Sequence, residues 1–405
     1  MSWEKVKLGE ISFCIQPGPF GSQLHNSDYA HEGTPIIMPK DMVDGHIRHT
    51  GLIRVPEEHV ARLQRHQVCA GNLMVARKGD VRKCVYITEN ENGWLTGSDC
   101  LKVALNENVC FPKYIYYQLR SPYIGRWLEQ ISIGATMPSI NTGLLSGIEM
   151  YLPSLEIQRR IADILSAYDD LIENNRKQIK LLEEAAQRLY KEWFVDLRFP
   201  GHVHTKITDG VPEGWESCIL DDVIEFDPKV RLDKDRVKQC VPMSALSTSS
   251  MVLDMNEISE TTSNSGSKFQ NGDTLLARIT PCLENGKTAF VHGIESDEGA
   301  VGSTEYIVMR SKQLNPYMVY LLSRTNGFRQ SAINSMSGSD GRQRVKADKL
   351  KSLAYLRPPI GLVHSFEQKV APVFGMVFTL NKQVFAATQA RDRLVPKLMS
   401  GKVEV

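Results

Sequence analysis

Four short polar segments of this sequence hold the side chains best suited to bind a ligand: residues 18–29, 77–83, 280–287 and 341–351. Residues 18–29 combine glycines and a proline with short hydrogen-bonding side chains, and the other three segments add cations, four of them in 77–83. Lys and Arg neutralise phosphates, while Asn, Gln, Ser and Arg reach the edges of bases. Solvated turns that only connect strands have a similar composition. Because such turns recur in both halves of the chain, the pattern favours contact with nucleic acid.

A further polar turn lies in the stretch GSTEY, residues 302–306. The side chains predicted to contact nucleic acid are Ser22, Gln23, His25, Arg77, Lys78, Arg82, Lys83, Thr280, Asn285, Lys287, Ser303, Arg342, Arg344 and Lys346. Residue types alone do not separate the side chains that read bases from those that contact phosphates, because loop geometry decides between these roles.

The sequence lacks the motifs that bring catalytic groups together. It contains no G-x-x-x-x-G-K-[ST] loop, no G-x-G-x-x-G that opens a helix and no H-E-x-x-H. Asn-Pro-Tyr at residues 315–317 is similar to part of the motif of adenine N6-methyltransferases, but the second proline is missing. Phe-Glu-Gln-Lys at residues 366–369 has no paired aspartate nearby. We therefore predict no catalytic residue, no metal site and no cofactor in this chain.

Composition indicates a folded protein with more than one domain. The chain has 405 residues, of which 42% are hydrophobic and 23% charged, and this length suits two or three domains. The formal net charge is only +1, so contact with nucleic acid must come from local clusters. A charged N-terminus, no apolar run of roughly 18 residues, and cysteines without a C-x-x-C pair predict a reduced, cytoplasmic protein with no membrane segment.

The two halves of the chain repeat the same order of segments. Trp3 and Trp215 each open a similar charged segment, and residues 111–121 resemble 315–325 as helices that begin with proline. Each half then contains a Gly/Ser segment, a strand that ends in proline and a long helical region. Internal repetition of this kind predicts two domains with one fold.

Each helical region carries a seam of residues whose spacings alternate between four and three, as in a coiled coil. The first seam is Ile161, Leu165, Tyr168, Ile172, Asn175, Ile179, Leu182, Ala186, Leu189 and Trp193. The second seam, each member 205 positions later, is Phe366, Val370, Val373, Val377, Leu380, Val384, Ala387, Arg391, Leu394 and Leu398. A helix of about 40 residues is roughly 60 Å long, which exceeds the diameter of one domain. We therefore predict that the helices pack together as an intramolecular coiled coil, and an antiparallel pairing would give the chain a pseudo-twofold axis.

These patterns predict an α/β (α+β) fold in which two pseudo-repeated globular domains are joined by the two long helices. The predicted regions are a first globular domain at 1–153, a central helical region at 154–198, a connector at 199–214, a second globular domain at 215–359 and a C-terminal helical region at 360–405. Pro372 and Pro396 lie inside the last region, where proline starts or kinks a helix.

Nearly the whole chain resembles the specificity (S) subunits of type I restriction–modification systems. The matching stretches are GPFGSQLHNSDYAHEGTPIIMPKDMVDGHI, TPCLENGKTAFV with GAVGSTEYIVMR, LPSLEIQRRIADILSAYDDLIENNRKQI and the closing RDRLVPKLMSG. The first two are similar to target-recognition-domain signatures. The last two are similar to the helical regions that follow those domains.

This resemblance implies a DNA-recognition subunit that is not catalytic. Each recognition domain would read one half of a split double-stranded DNA target, and the helices would set the spacer and dock two modification (M) subunits. Those subunits would hold S-adenosylmethionine and methylate adenine at N6, and a restriction (R) subunit can join to translocate and cut DNA. Gly361 and Pro372 make the second helical region less regular than the first, so the two docking surfaces are expected to differ.

Two alternatives remain open at this point. A catalytic DNA methyltransferase or nuclease would need a cofactor-binding glycine motif and a catalytic tetrapeptide. A coiled-coil adaptor that does not bind DNA would share the helices but has no need of cationic loops in both globular domains. Salt-dependent DNA binding separates these alternatives.

Overall fold

The computed structural model describes residues 3–134, 137–296, 298–339 and 341–402, and for Ser22 it describes the backbone. The chain folds into two compact units. The first unit consists of Met1–Asp170 and Ala387–Val405, and the second of Leu171–Ala386. Both boundaries fall inside long helices, so each unit contains a globular part and a segment of each helix.

The first unit combines short strands with short helices around the long ones. Its strands are β1 (Glu4–Lys7), β2 (Ser12–Pro17), β3 (Thr34–Ile37), β4 (Met42–Val43), β5 (His46–Ile47), β6 (Ile53–Val55), β7 (Leu73–Ala76), β8 (Cys84–Tyr86), β9 (Leu95–Thr96), β10 (Cys100–Leu105) and β11 (Glu149–Leu152). Its helices are α1 (Glu57–Val60), α2 (Pro112–Leu119), α3 (Pro122–Ile131), α4 (Thr142–Ser146) and the first part of α5 (Leu155–Tyr190). Proline begins both α2 and α3, where its missing N–H has no intrahelical partner to lose.

An antiparallel sheet in the order β2–β10–β7–β8 forms the centre of the first unit. Every residue of β7 is buried, because its alternate side chains enter cores on opposite faces of the sheet. Leu73 and Val75 pack in one core, whereas Met74 and Ala76 pack in another. A second sheet has the order β6–β3–β9, in which β3 and β9 are parallel, and the two-stranded pairs β1–β11 and β4–β5 complete the unit.

The second unit has its own set of strands and helices. The strands are β12 (Ile207–Thr208), β13 (Val211–Pro212), β14 (Glu216–Ile219), β15 (Ile224–Phe226), β16 (Lys238–Val241), β17 (Ser259–Thr261), β18 (Ser267–Phe269), β19 (Thr274–Ala277), β20 (Thr288–Phe290), β21 (Ala300–Gly302), β22 (Tyr306–Ser311) and β23 (Ala354–Arg357). The helices are α6 (Leu220–Val223), α7 (Pro316–Ser323), α8 (Asn326–Asn334), α9 (Ala347–Lys351) and α10 (Ile360–Met399). A π-helical turn, Lys191–Val195, follows α5.

The two units share one strand order. The sheet β15–β22–β19–β20 repeats β2–β10–β7–β8, the pair β14–β23 repeats β1–β11, and β17–β16–β21 repeats β6–β3–β9. The parallel pair is also repeated, as β16 with β21 and β3 with β9. The repeat predicted from the sequence is therefore present in the strand order, and it gives loops of one unit their equivalents in the other.

In the first unit, the beginning of α5 lies beside the end of α10. Ile161 and Leu398 belong to one apolar core. Further along α5, Asp169 accepts a hydrogen bond from Arg391, which precedes Leu398 on α10. Residue numbers that rise along α5 meet numbers that fall along α10, so the helix segments of this unit are antiparallel.

The helix segments of the second unit have the same relation. The amide of Asn175 donates to Oε1 of Gln383 at 3.0 Å, and the ring of Trp193 lies 5.6 Å from that of Phe366. The antiparallel coiled coil predicted from the sequence is therefore confirmed. Every residue of the two seams is buried or half-buried, as expected for a seam that faces a partner helix.

Helix α10 is continuous across Pro372 and Pro396. Of the two effects expected of Pro372, a start or a kink of the helix, the start is excluded, because α10 begins at Ile360 and is continuous to Met399. Proline at this position removes the N–H that would bond to the carbonyl of Gln368. Both residues are exposed, so water can satisfy that carbonyl and the helix continues.

By length and composition alone, α10 could cross a membrane, contrary to the expectation that no segment is apolar enough. Its apolar side chains have another role in this fold. Phe366, Val370 and Val377 are buried in the second unit, and Leu398 is buried in the first. A long apolar helix of this kind is typical of a protein interior.

An ionic network joins the helix pair to the globular part of the first unit. Asp169 accepts hydrogen bonds from Nη1 of Arg391 and from the hydroxyl of Tyr117, each at 2.6 Å. Tyr117 lies on α2, and burial together with the charge of Asp169 raises the pKa of its hydroxyl. The positions equivalent to Asp169 and Arg391 in the second unit are Phe374 and Ala186, so the repeat does not reproduce this network.

We expect Arg391→Met to lower the free energy of unfolding of the first unit by about 3–5 kcal/mol, because it leaves the carboxylate of Asp169 buried without its cation. Asp169 is 8% exposed and Arg391 16%. The triple variant Asp169→Leu, Arg391→Met, Tyr117→Phe removes the whole network and should recover most of the loss. Arg393→Met, an exposed change on the same helix, is the control and should stay within about 0.5 kcal/mol. Urea unfolding measures all three, and equal losses in the single and triple variants would contradict this account.

Candidate nucleic-acid interface

The strand register of the first unit brings several loops to one end of its central sheet. Ala76, the last residue of β7, pairs with Cys100, the first of β10, and the last residue of β2 pairs with Leu101. The loops after β2 and β7 and the turn before β10 therefore leave the sheet at the same end. The loop after α3 joins them, because the N–H of Ile140 donates to the carbonyl of Arg77. The first loop cluster is defined as residues 18–33, 77–83, 97–99, 133–134 and 137–140.

The second unit builds the equivalent cluster. Ala277 at the end of β19 pairs with Tyr306 at the start of β22, and β15 also ends toward this side. The N–H of Val345 donates to the carbonyl of Arg278, and the N–H of Arg278 donates to the carbonyl of Glu305. The second loop cluster is defined as residues 227–237, 278–287, 303–305, 336–339 and 341–346. The cationic segments that are separate in sequence thus converge in each unit.

Two cations of the first loop cluster are exposed and paired with carboxylates. Lys78 lies 3.2 Å from Asp99, and Arg82 lies 3.1 Å from Asp80 and 3.3 Å from Glu129. All five side chains are about half exposed. Pairs this exposed contribute little to stability, so both cations can exchange a carboxylate for a phosphate at small cost.

The segment after β2 supplies a mixed set of groups to the first loop cluster. The guanidinium of Arg77 lies 5.8 Å from the ring centroid of Phe20, which is itself exposed. His25 is exposed on a helical turn, whereas Oε1 of Gln23 is buried and has no hydrogen-bond partner among the described residues. The side chain of Ser22 lies outside the described part of the chain. Of these residues, Arg77 and His25 are the best placed to reach a ligand.

One of the lysines predicted to contact nucleic acid in each unit bonds instead to a main-chain carbonyl. Lys83, the last residue before β8, donates to the carbonyl of Pro39 at 3.0 Å. Lys287, the last residue before β20, donates to the carbonyl of Met243 at 2.8 Å. Both acceptors lie in the helical turn that follows the equivalent strands β3 and β16. Each lysine therefore links a hairpin loop to the neighbouring helical turn. DNA contact by these lysines stays a prediction.

The hairpin loop of the second cluster presents one free polar tip. Thr280 is tied to the next loop, because its N–H donates to the carbonyl of Gln343 and its hydroxyl accepts from the N–H of the same residue. Ser303 accepts from the N–H of Glu305 and shapes the turn before β22. Asn285 is exposed at the tip of the hairpin. Of these three predicted residues, Asn285 is therefore the one exposed to a ligand, and base contact by its amide stays a prediction.

The loop before α9 contains cations of two kinds. Arg342 and Lys346 are exposed. Arg344 instead forms a bidentate pair with Glu305, with its Nη2 2.7 Å from Oε1 and its Nε 2.9 Å from Oε2. Hydrogen bonding to Arg344 lowers the pKa of the Glu305 carboxyl, and the charge of Arg278 acts in the same direction. Arg344 is thus held in one orientation, whereas its neighbours are not.

Two features of the second cluster were missed in the sequence. Arg278 occupies the position equivalent to Arg77, but it follows an apolar strand as a single cation and no charged run marks it. Lys229, Arg231 and Lys234 lie exposed in the loop after β15, which is the equivalent of residues 18–33. Their cations alternate with aspartates, so the segment reads as a neutral surface loop. Only the strand order indicates that this loop begins at the same end of the sheet.

The Asn-Pro-Tyr tripeptide at residues 315–317 has a structural role. Asn315, which begins the Asn-Pro-Tyr tripeptide, is buried and caps α7: its side chain accepts from the N–H of Met318 and donates to the carbonyl of Val363. That side chain is therefore committed to structure. Within the described residues, no group of three or more His, Cys, Asp or Glu side chains is placed to hold a metal ion.

Comparison with known proteins gives one consistent result. Residues 2–184 match the sequence family described as the type I restriction modification DNA specificity domain. The chain is 25% identical over 423 residues to the type I restriction enzyme MjaIX specificity subunit of Methanocaldococcus jannaschii, covering 99% of this chain and 93% of that protein. It is 18% identical over 468 residues to the HindI specificity subunit of Haemophilus influenzae, covering 99% of each. The crystal structure of the type I S subunit from M. genitalium has a similar fold, with a TM-score of 0.60 at 15% identity over 98% of this chain and 96% of that one.

The chain is therefore similar over nearly its whole length to the specificity subunits of type I restriction–modification systems, as its sequence predicted. It is a DNA-recognition subunit and is not itself catalytic. Such a subunit acts with DNA and with a modification subunit. The fold and the relatives support neither the catalytic alternative nor the adaptor that does not bind DNA. The cytoplasmic location stays a prediction.

The two neighbours Asn285 and Lys287 should respond differently to substitution. We expect Lys287→Met to lower the free energy of unfolding by about 1 kcal/mol, since its ammonium bonds to a main-chain carbonyl. The salt dependence of DNA binding should change little. Asn285→Ala should leave stability unchanged but cost about 1–3 kcal/mol of preference for one base. Thermal unfolding and salt-titrated DNA binding measure both, and a salt slope reduced by about one unit in Lys287→Met would show instead that this lysine contacts a phosphate.

Proposed function

We propose that each unit reads one half of a split DNA target through its loop cluster, and that the helix pair sets the number of unspecified base pairs between the halves. One observation carries this proposal. The same loops, which are distant in sequence, converge at the same end of the same four-stranded sheet in both units. A repeated scaffold with a repeated cationic loop cluster suits a ligand that presents two similar sites, as duplex DNA does.

The composition of the loop clusters suits the two kinds of DNA contact. Lys78, Arg82, Arg342 and Lys346 are exposed cations that can neutralise phosphates and release counterions. Asn285 carries an amide that can donate to and accept from an adenine edge in the major groove. Phosphate contacts would place the unit on the duplex, and the amide would select the sequence.

The two half-sites are expected to differ in sequence. The equivalent acids Asp99 and Glu305 bind different cations from different loops: Asp99 pairs with Lys78 of the hairpin loop, whereas Glu305 pairs with Arg344 of the loop before α9. A lysine is a flexible point charge, whereas an arginine offers a rigid fork of donors. The scaffold is repeated but the reading groups are not, so the whole target would not be a palindrome.

The helix pair would dock two modification subunits that carry S-adenosylmethionine, and a restriction subunit can join the assembly. Apart from the resemblance, support comes from apolar side chains exposed on the long helices. These are Ile164, Leu171 and Leu181 on α5 and Ile360 and Met376 on α10. Exposed apolar groups on a helix that already buries its seam are typical of a surface that a further protein covers. Their unequal number on the two helices fits docking surfaces that are not identical.

The decisive experiment combines the chain with its modification subunit. We expect the isolated chain to transfer no methyl group from S-adenosylmethionine to DNA and to cut no DNA. The complex should methylate adenines within one split sequence, with two fixed parts and a spacer of constant length. Genome-wide mapping of methylated adenines measures this. Methyl transfer by the pure chain, or methylation without a fixed sequence, would refute the proposal.

The spacer should depend on helix length. A seven-residue insertion after Asn175 in α5, matched by one after Gln383 in α10, keeps both seams in phase and lengthens the pair by roughly 10 Å at 1.5 Å per residue. At about 3.4 Å per base pair, the spacer should grow by at most about three base pairs while both half-site sequences stay the same. An insertion in α5 alone is the matched control and should disrupt the pairing. An unchanged spacer in the folded, active double insertion would refute this role of the helices.

A further inference from the structure

A carboxylate lies among the cations of the second loop cluster and contacts one of them. The carboxylate of Glu305 binds Arg344 through Nε and Nη2. Arg278 lies on its other side, with Nε 3.9 Å from Oε2. That Nε is buried and has no hydrogen-bond partner among the described residues. The three side chains form a compact Arg–Glu–Arg group between the hairpin loop and the loop before α9.

The group has a counterpart in the first unit. Arg77 follows β7 as Arg278 follows β19, and Asp99 precedes β10 as Glu305 precedes β22. The cation that contacts the acid there is Lys78, 3.2 Å from Asp99. An acid paired with a cation thus precedes the equivalent strand in both units, which indicates a feature of the loop cluster itself.

An acid is unfavourable where a surface faces only phosphates, because like charges repel. Where a surface faces base edges, the same acid has a use: it can fix the orientation of an arginine. Glu305 engages the Nε and Nη2 side of Arg344, which leaves the outer edge formed by Nη1 and Nη2 with N–H groups still free to donate. Nη1 makes one long contact of 3.4 Å, to the carbonyl of Arg342. Two neighbouring N–H groups match the O6 and N7 acceptors that guanine presents in the major groove.

We propose that Arg344, oriented by Glu305, reads a guanine in the half-site of the second unit, and that Arg278 supplies a further donor beside it. The Arg344 side chain is 40% exposed and that of Glu305 25%, so the pair can be reached from solvent. Because the guanidinium is already oriented, less conformational entropy is lost when it binds. The Arg278 side chain is 30% exposed, so the part of its guanidinium that reaches solvent can donate beside Arg344. This inference rests on the proposed function and names the base that one unit recognises.

The test uses the full chain in complex with its modification subunit. The wild-type target is first mapped, and each base pair of the second half-site is then replaced in turn. Arg344→Lys keeps the charge but loses the fork, so preference for one G·C pair should fall about tenfold or more. Glu305→Gln should lower the same preference, while affinity for unrelated DNA stays equal or rises because a negative charge is gone. Arg278→Lys should weaken preference at that pair or its neighbour.

A matched control lies at the other end of the same sheet. Arg310 forms a bidentate pair with Asp273, with both contacts at 2.7 Å. Arg310→Lys removes an arginine fork from a carboxylate outside the loop cluster. It should lower the unfolding temperature without changing the preference for any base. If Arg344→Lys behaves in that way, the Arg–Glu pair only fastens two loops.

Each outcome decides the matter. A folded Arg344→Lys complex with the wild-type preference at every pair of the second half-site overturns the inference, as does a sensitive pair that lacks guanine. A diffuse loss over both half-sites overturns it too, since it indicates distortion of the unit. If Glu305→Gln does not fold, Arg344→Lys and Arg278→Lys decide. A wild-type complex without any fixed target refutes the proposed function itself, which is a separate result.

Discussion

The antiparallel register between the last residue of β7 and the first of β10, repeated between β19 and β22, is the constraint on which the rest of the structure depends. It fixes which loops share one end of the sheet. The register is itself fixed by burial, because every residue of β7 is buried and a slip by one residue would exchange the faces of the whole strand. The apolar cores therefore decide where the polar groups meet.

The helix pair depends on a different balance of forces. Apolar seams supply most of the attraction, but such seams tolerate a shift by one heptad. Polar contacts that match only at one alignment remove this freedom: Asn175 with Gln383 in the second unit, and Asp169 with Arg391 in the first. The ionic contact also reaches Tyr117 on α2, so the alignment of the helices is linked to the globular part of that unit. Buried polar groups of this kind contribute less to stability than to the choice of one arrangement.

The ability of the loop clusters to bind phosphate depends on local charge and not on the net charge of the chain. The chain carries a net charge of only +1, and many cations of the clusters have a partner. The partners separate two roles. A lysine bonded to a main-chain carbonyl, such as Lys287, holds a loop in place. An exposed cation such as Lys78, paired with a carboxylate in solvent, can change partner when a phosphate arrives.

The sequence by itself determined the repeat, the two seams and the resemblance to specificity subunits, because each rests on a periodicity or on extended motifs that local residues carry. The Pro-initiated helix, the hairpin turns and the antiparallel pairing followed from these. It also marked the cationic hairpins, but it could not show that Lys83 and Lys287 bond to carbonyls of the turns that follow β3 and β16. It gave no sign of Arg278, a single cation after an apolar strand. Those assignments depend on contacts between residues tens of positions apart, and only tertiary structure decides them, since strand register and loop packing set which distant groups come within hydrogen-bond distance.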